Sequence, residues 1–195
     1  MYQYDPRFVD LPKDVYLYGF FQNEDYLKAS EAAVRREFTL VTPLDDANRA
    51  MADQIRSVAS VSIHIRRGDY AHDPDVRPVF GLMSLDYYDS AVKNISKRVA
   101  VPHFFVFSDD QEWAKANLRL DFPMTFIDFN GPERAYADLY LMSQCKHHII
   151  ANSSFSWWGA WLCTSAEQMV CAPHQWLTNS KKNAHQIIPN RWLKI

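Results

Sequence analysis

The sequence predicts an α/β fold, a Rossmann-like parallel sheet with flanking helices, and three observations carry that expectation. Hydrophobic spacing switches from a helical period to a period of two at Ser60. Beyond that point, short β-branched and aromatic runs alternate with helical stretches, the order that builds parallel strands covered on both faces. The runs end in polar or charged residues, Arg66, Asp109 and Asn152, which such a sheet gathers on one rim.

The elements follow in order. Glu24 to Glu37 is helix-compatible through Tyr26, Ala29, Ala33 and Val34, and Pro43 separates it from the next element. Asp45 or Asp46 can cap a helix whose residues Ala47, Met51, Ile55 and Val58 form one stripe. Residues 1–59 therefore read as a helical lead-in and 60–195 as the sheet domain. In the first strand Val61, Ile63 and Ile65 point one way, Ser62, His64 and Arg66 the other, and Gly68-Asp69 ends the run. A loop with Pro74 and Pro78 leads to a helix from Ser84 that carries Leu85, Tyr88, Val92, Ile95 and Val99. His103 to Phe107 is the next strand, with Ser108 or Asp109 capping a helix through Leu118. Met124 to Phe129 reads as a strand and Glu133 to Gln144 as a helix. The strand His148 to Ala151, the turn Asn152-Ser153-Ser154 and a helix from Phe155 through Leu162 follow, and Met169 to Ala172 is the last predicted strand.

Composition narrows the partners. With 195 residues and 48% hydrophobic content, the chain can bury a substantial core. A net charge of -2 gives no global attraction to nucleic acid, so an anion must be held by a local cluster; the pair Lys181-Lys182 is too short to supply one. Cys145, Cys163 and Cys171 are odd in number and widely spaced, which argues against a disulfide framework or thiolate metal site and suits a reducing cytosol. No run approaches the ~20 apolar residues of a spanning helix.

Arg66 and Arg67 follow buried-type strand residues and carry the fixed donor geometry that a diphosphate needs; in the plainer reading one of them, Arg67 in particular, pairs with Asp69 and ties down a turn. His64 shares the phase of Arg66 and reads either as a contact to a sugar or base hydroxyl or as a core histidine. Asn152-Ser153-Ser154 before an apolar helix offers amides and hydroxyls to a phosphate, or serves as an ordinary cap. Asp109-Asp110 fits a metal or hydroxyl contact, or a cap that favours the helix terminus. Trp157, Trp158 and Trp161 read as core or domain-interface packing. Phosphate-loop, dinucleotide-turn, HExxH and nucleophile-elbow motifs are absent.

The ordered segments HIRRGDY (His64 to Tyr70), FVFSDD (Phe105 to Asp110) and DLYLMSQCKHHIIANSSFSWWGAWL (Asp138 to Leu162), with the lead-in YLYGFFQNEDYL (Tyr16 to Leu27), resemble the alpha-1,2-fucosyltransferase family, glycosyltransferase family 11. The resemblance implies the donor-binding half of a two-domain GT-B enzyme with preceding helices. It implies inverting transfer of L-fucose from GDP-fucose to the 2-hydroxyl of a terminal galactose on an oligosaccharide, with no cofactor and no obligatory metal. It places His64, Arg66, Arg67, Asp138, Ser153 and Ser154 in donor binding, Arg66 on the pyrophosphate and Asp138 on guanine or ribose. Asp73 and Asp75, on the rim loop after the arginines, are candidates for the general base. It also carries the term membrane, with a cytoplasmic location that is at most peripheral at the inner membrane surface. Family members begin with a glycine-rich segment resembling GGLGNQ, and nothing like it occurs here. That departure points to a chain shortened at its N-terminus, and to the alternative of a catalytically inactive fragment with at most weak GDP binding.

Overall fold

The computed structural model describes residues 3–178 and 186–195; the Lys181-Lys182 pair lies outside them. Six strands form one sheet in the order β3-β2-β1-β4-β5-β6, with every neighbouring pair parallel. They are β1 (Ser60–Ile65), β2 (His103–Ser108), β3 (Met124–Ile127), β4 (His147–Ile149), β5 (Val170–Ala172) and β6 (Leu193–Lys194). Strand order reverses between β1 and β4. In a doubly wound sheet, ligands bind outside the carboxyl ends of the strands at that reversal.

Alternating residues send the strands' side chains into cores on both faces. Val61, Ile63 and Ile65 join Phe104 and Val106 against α5 (Leu85–Ser96) and α6 (Gln111–Asn117). On the other face Phe105, Phe107 and Ile127 pack with α2 (Asp46–Ser57) and α7 (Ala135–Gln144). Thus α2, within the stretch 1–59, contributes Ala52 and Ile55 to a core built largely from residues after 60. A third cluster gathers Trp157 and Trp161 of α8 (Ser154–Leu162) with Trp176 and Trp192. Gly159 lets α8 approach α7 closely, since a Cβ there would lie 2.7 Å from Met142 Sδ.

Several elements depart from the sequence reading. Glu24–Tyr26 and Lys28–Ser30 are 3-10 turns, and only α1 (Glu31–Glu37) is α-helical. Tyr26 is the reason: its buried hydroxyl donates to Gln3 O and accepts from Asp5 N, fixing that turn to the N-terminal segment rather than to a continuous helix. The Pro74 and Pro78 loop holds two short helices, α3 (Gly68–His72) and α4 (Arg77–Phe80), with Pro78 in the first turn of α4, where a missing N–H costs nothing. Asp110, rather than Ser108 or Asp109, caps α6 by accepting from Trp113 N. Strand β6 follows the last predicted strand and extends the sheet by pairing with β5.

Both faces of β1 are covered, as expected of a parallel sheet: Ser62 is fully buried and His64 is 4% exposed with Phe155 of α8 against its ring, the core alternative for this histidine. The membrane expectation is corrected. Among the described residues no helix is long and apolar enough to cross a membrane.

Candidate functional site

The site at the strand reversal has two walls. One is the segment Arg66-Arg67-Gly68-Asp69 leaving β1, and the other is the turn Asn152-Ser153-Ser154 between β4 and α8. Both leave carboxyl ends of adjacent strands, which is why residues 86 positions apart in sequence, such as Arg66 and Asn152, come to the same edge of the sheet. Tyrosines from α5 brace this rim from below. Tyr88 Oη donates to His64 O at 3.0 Å, one residue before the end of β1, and Tyr87 Oη to Ile150 O at 2.6 Å, one residue past the end of β4.

The arginines are held in place by acids. Arg66 pairs with Asp69 (2.7 Å) and Asp109 (3.0 Å), and its guanidinium lies 5.4 Å from the centre of the Tyr70 ring. Tyr70 Oη donates in turn to Asn152 O, 3.2 Å away, so the two walls are joined through Tyr70. Arg67 donates Nε to Asp110 at 3.1 Å, lies 3.9 Å over the Trp113 ring, and gives its backbone N–H to Asp109 at 2.8 Å. Asp69 therefore belongs to Arg66, and the predicted pairing of Arg67 with Asp69 is corrected: the neighbouring strand β2 brings Asp109 and Asp110 to the rim, and Asp110 takes the longer reach. Gly68 permits this packing, because a Cβ there would stand 2.5 Å from Asp109 Oδ2.

Across the cleft, Ser153 is the N-cap of α8 but makes no side-chain cap hydrogen bond. Backbone N–H groups in the first turn of a helix point outward along its dipole, and here an anion can meet them. Ser153 is buried and Ser154 exposed. Asn152 turns inward, donating Nδ2 to Phe80 O and Trp176 O, so its side chain braces the turn instead of facing the rim.

His64 lies beneath this site, against Phe155 at 5.6 Å between ring centres, and burial with the charge of Arg66 pulls its pKa down to about 3. It is neutral, and no partner reaches its Nδ1 among the described residues. His148 is likewise pulled down to about 3 by burial, with Nδ1 2.8 Å from Ser62 Oγ.

Asp138 stands on the first turn of α7, half-buried, and burial lifts its pKa to about 6 against the opposing effect of a hydrogen bond from Asn130. Asn130 Nδ2 donates to Asp138 Oδ1 at 2.8 Å and to Asn48 Oδ1 at 2.9 Å. The amides Asn48 and Asn130 were not foreseen as site neighbours. Their only signal is side-chain chemistry, scattered over α2 and the loop after β3. Asp73 accepts at Oδ1 from the backbone N–H groups of Asp75 and Val76, which ties it into the turn before α4, while Asp75 is exposed. Among the described residues no group of three or more His, Cys, Asp or Glu side chains is placed to hold a metal ion.

The chain is 39% identical over 181 residues to an alpha-1,2-colitosyltransferase of Escherichia coli, covering 91% of this chain and 61% of that protein. It is 32% identical over 196 residues to the O-antigen biosynthesis glycosyltransferase WbnK of Escherichia coli, covering all of this chain and 59% of WbnK. Human galactoside alpha-(1,2)-fucosyltransferase 1 is 29% identical over 137 residues, covering 66% of this chain and 38% of that enzyme. The chain thus spans about three fifths of the length of the two bacterial relatives. The model of the family described as Glycosyl transferase family 11 matches residues 2–195, and with a match of that extent the chain belongs to glycosyl transferase family 11.

Proposed function

We propose that this chain forms the donor-binding part of an inverting GT-B glycosyltransferase that moves L-fucose from GDP-fucose to the 2-hydroxyl of a terminal galactose. One observation carries the reading: the arginine pair follows β1 and the first turn of α8, whose N-cap Ser153 makes no side-chain cap bond, follows β4, so two anion-favouring groups leave the carboxyl ends of adjacent strands at the strand reversal.

In this reading the diphosphate lies between Arg66, Arg67 and the amides around Ser153 and Ser154. Negative charge grows on GDP as the glycosidic bond breaks. Fixed guanidinium and amide dipoles stabilise that charge more than they stabilise the ground state, which is the condition for lowering the barrier. Asp138 accepts the N–H groups of guanine, and His64 supports the floor from beneath Phe155. A carboxylate of Asp73 or Asp75 receives the proton of the acceptor hydroxyl. The free, buried Cys145, Cys163 and Cys171 fit a cytoplasmic site of action.

A second donor deserves a place in the test because the first relative named above is a colitosyltransferase. Colitose is fucose without its 3-hydroxyl, so both sugars present the same ring to the same phosphate site. The experiment is calorimetric titration with GDP, GDP-fucose, the colitosyl counterpart, ADP and UDP, followed by linkage analysis of any product formed on a galactoside. Guanine nucleotides should bind at least roughly tenfold tighter than ADP or UDP, a difference of about 1.4 kcal/mol. Equal affinity for all three bases overturns the guanine assignment, and a product linked elsewhere than the galactose 2-hydroxyl overturns the reaction.

A further inference from the structure

We infer that the pocket between the loop Phe20–Asn23 and the start of α8 receives the hexosyl ring of the donor, an assignment that rests on the reading of the diphosphate site above. The pocket measures about 180 Å³ and is walled by Phe20, Gln22 and Asn23 on one side and by Ser154, Trp158 and Trp176 on the other. Its place is the first argument. Ser154 belongs both to this wall and to the first turn of α8, where the phosphate lies, so a group bonded to that phosphate enters the pocket directly. Asn152 ties the two together, with its carbonyl bound by Tyr70 on the arginine side and its Nδ2 bound to the carbonyl of Trp176.

Size is the second argument. Sites for drug-sized ligands begin near roughly 300 Å³. This pocket accepts a single ring, not a nucleoside.

Chemistry is the third. A pyranose has apolar C–H faces, which pack on aromatic rings, and a hydroxyl edge, which both donates and accepts. The wall supplies indole and phenyl rings together with the amide of Gln22 and the hydroxyl of Ser154, groups that also donate and accept. Guanine has a different demand: its adjacent N–H donors need a carboxylate, which this wall lacks and Asp138 supplies elsewhere.

The loop is held in shape independently of any ligand. Asn23 N–H donates to Phe21 O at 2.9 Å, closing a tight turn with Gln22 at its apex, and Phe21 adopts a φ of 48°, a conformation that bulky residues rarely take. Asn23 Nδ2 donates to Gln186 Oε1 and its Oδ1 accepts from Asp25 N, pinning the far end of the turn. Gln22 is thus presented from a fixed backbone.

Saturation-transfer NMR on the chain with GDP-fucose tests the assignment, because base and sugar protons are read separately. With aromatic protons irradiated, the parent should transfer saturation to guanine H8 and to the fucosyl ring and methyl protons. In Gln22→Ala and Trp158→Leu the fucosyl transfer should be lost while H8 transfer persists. Gln22→Ala leaves the tryptophan cluster untouched and keeps the test valid if Trp158→Leu folds poorly. Fucosyl transfer that persists in folded Gln22→Ala and Trp158→Leu overturns the pocket assignment alone. Displacement of the fucosyl signal by a free galactoside, with H8 unchanged, overturns it by giving the pocket to the acceptor. Absence of H8 transfer in the parent removes the donor-site reading and this pocket's role with it.

Discussion

Arg66 and Asp109 stand opposite each other at the ends of neighbouring strands, where the register pairs Ile65 with Ser108, and they close an ion pair of 3.0 Å. The guanidinium is therefore aimed before any ligand arrives. Five donors on a rigid plane leave room for a phosphate oxygen beside the two carboxylates. Arg66→Ala should remove a charge-assisted contact of about 1.5–3 kcal/mol, weakening GDP binding roughly ten- to hundredfold by calorimetry. Arg66→Lys should recover part of it.

The melting temperatures of the two arginine variants should differ in a definite order. Arg66 and its partners are partly solvated, so its loss should cost at most about 1 kcal/mol, or about 2–4 °C in a chain of this size. Arg67 is more enclosed, and its partner Asp110 also caps α6. Arg67→Ala should lower the melting temperature further than Arg66→Ala, by calorimetric scan. If Arg66→Ala stays folded and binds GDP like the parent, the pyrophosphate role is wrong.

Asp138 couples stability to function with opposite signs. Its carboxyl titrates near 6 in the fold, above the ordinary range near 3.9, so protonation is favoured by folding. Stability from this group is fully present below about pH 4 and is lost as pH rises through 6. Asp138→Asn keeps an acceptor for Asn130 without the charge. It should raise stability by about 1–2 kcal/mol at pH 8 and by almost nothing at pH 4, measured by urea unfolding. GDP affinity should fall in the same variant at pH 8. A variant that gains stability and keeps its preference for guanine would remove Asp138 from base recognition.

His64 and His148 work the other way. Both titrate near 3 in the fold against about 6.5 when unfolded, so the unfolded chain binds the extra protons. Each contributes up to about 1.4 kcal/mol per pH unit of lost stability as pH falls from 6.5 toward 3. Asp138 offsets one of them between about pH 4 and 6, and the loss should steepen below that window. His148→Asn, which retains a polar atom for Ser62 and cannot gain a proton, should flatten the slope of unfolding free energy against pH. An unchanged slope would mean that His148 is already protonated in the fold.

The strands were legible because both sheet faces are buried, which makes Val61 to Ile65 and Phe104 to Phe107 apolar enough to read by period alone. The cap of α2 was legible to within a residue, because Asp45 bonds the nearby amide of Asn48. Two residues of β6 carry no period, so that strand could only be seen in its pairing with β5. The arginines' partners depended on strand order. Asp69 is near in sequence to both, but Asp109 and Asp110 come within reach only once β2 lies beside β1. For the same reason the Asn48, Asn130 and Asp138 chain, drawn from α2, a loop and α7, had no local signal.

Of the six tryptophans, five stand in or against one aromatic cluster, and Trp113 alone lies under Arg67. The indole there is an optical gauge already installed at the anion site. A guanidinium 3.9 Å above its face sets the local field, and that field changes whenever Arg67 turns toward a phosphate. Replacing Trp113 with phenylalanine and subtracting its emission from the parent's would isolate a single chromophore. Its colour would then track the arginine through a titration without any label.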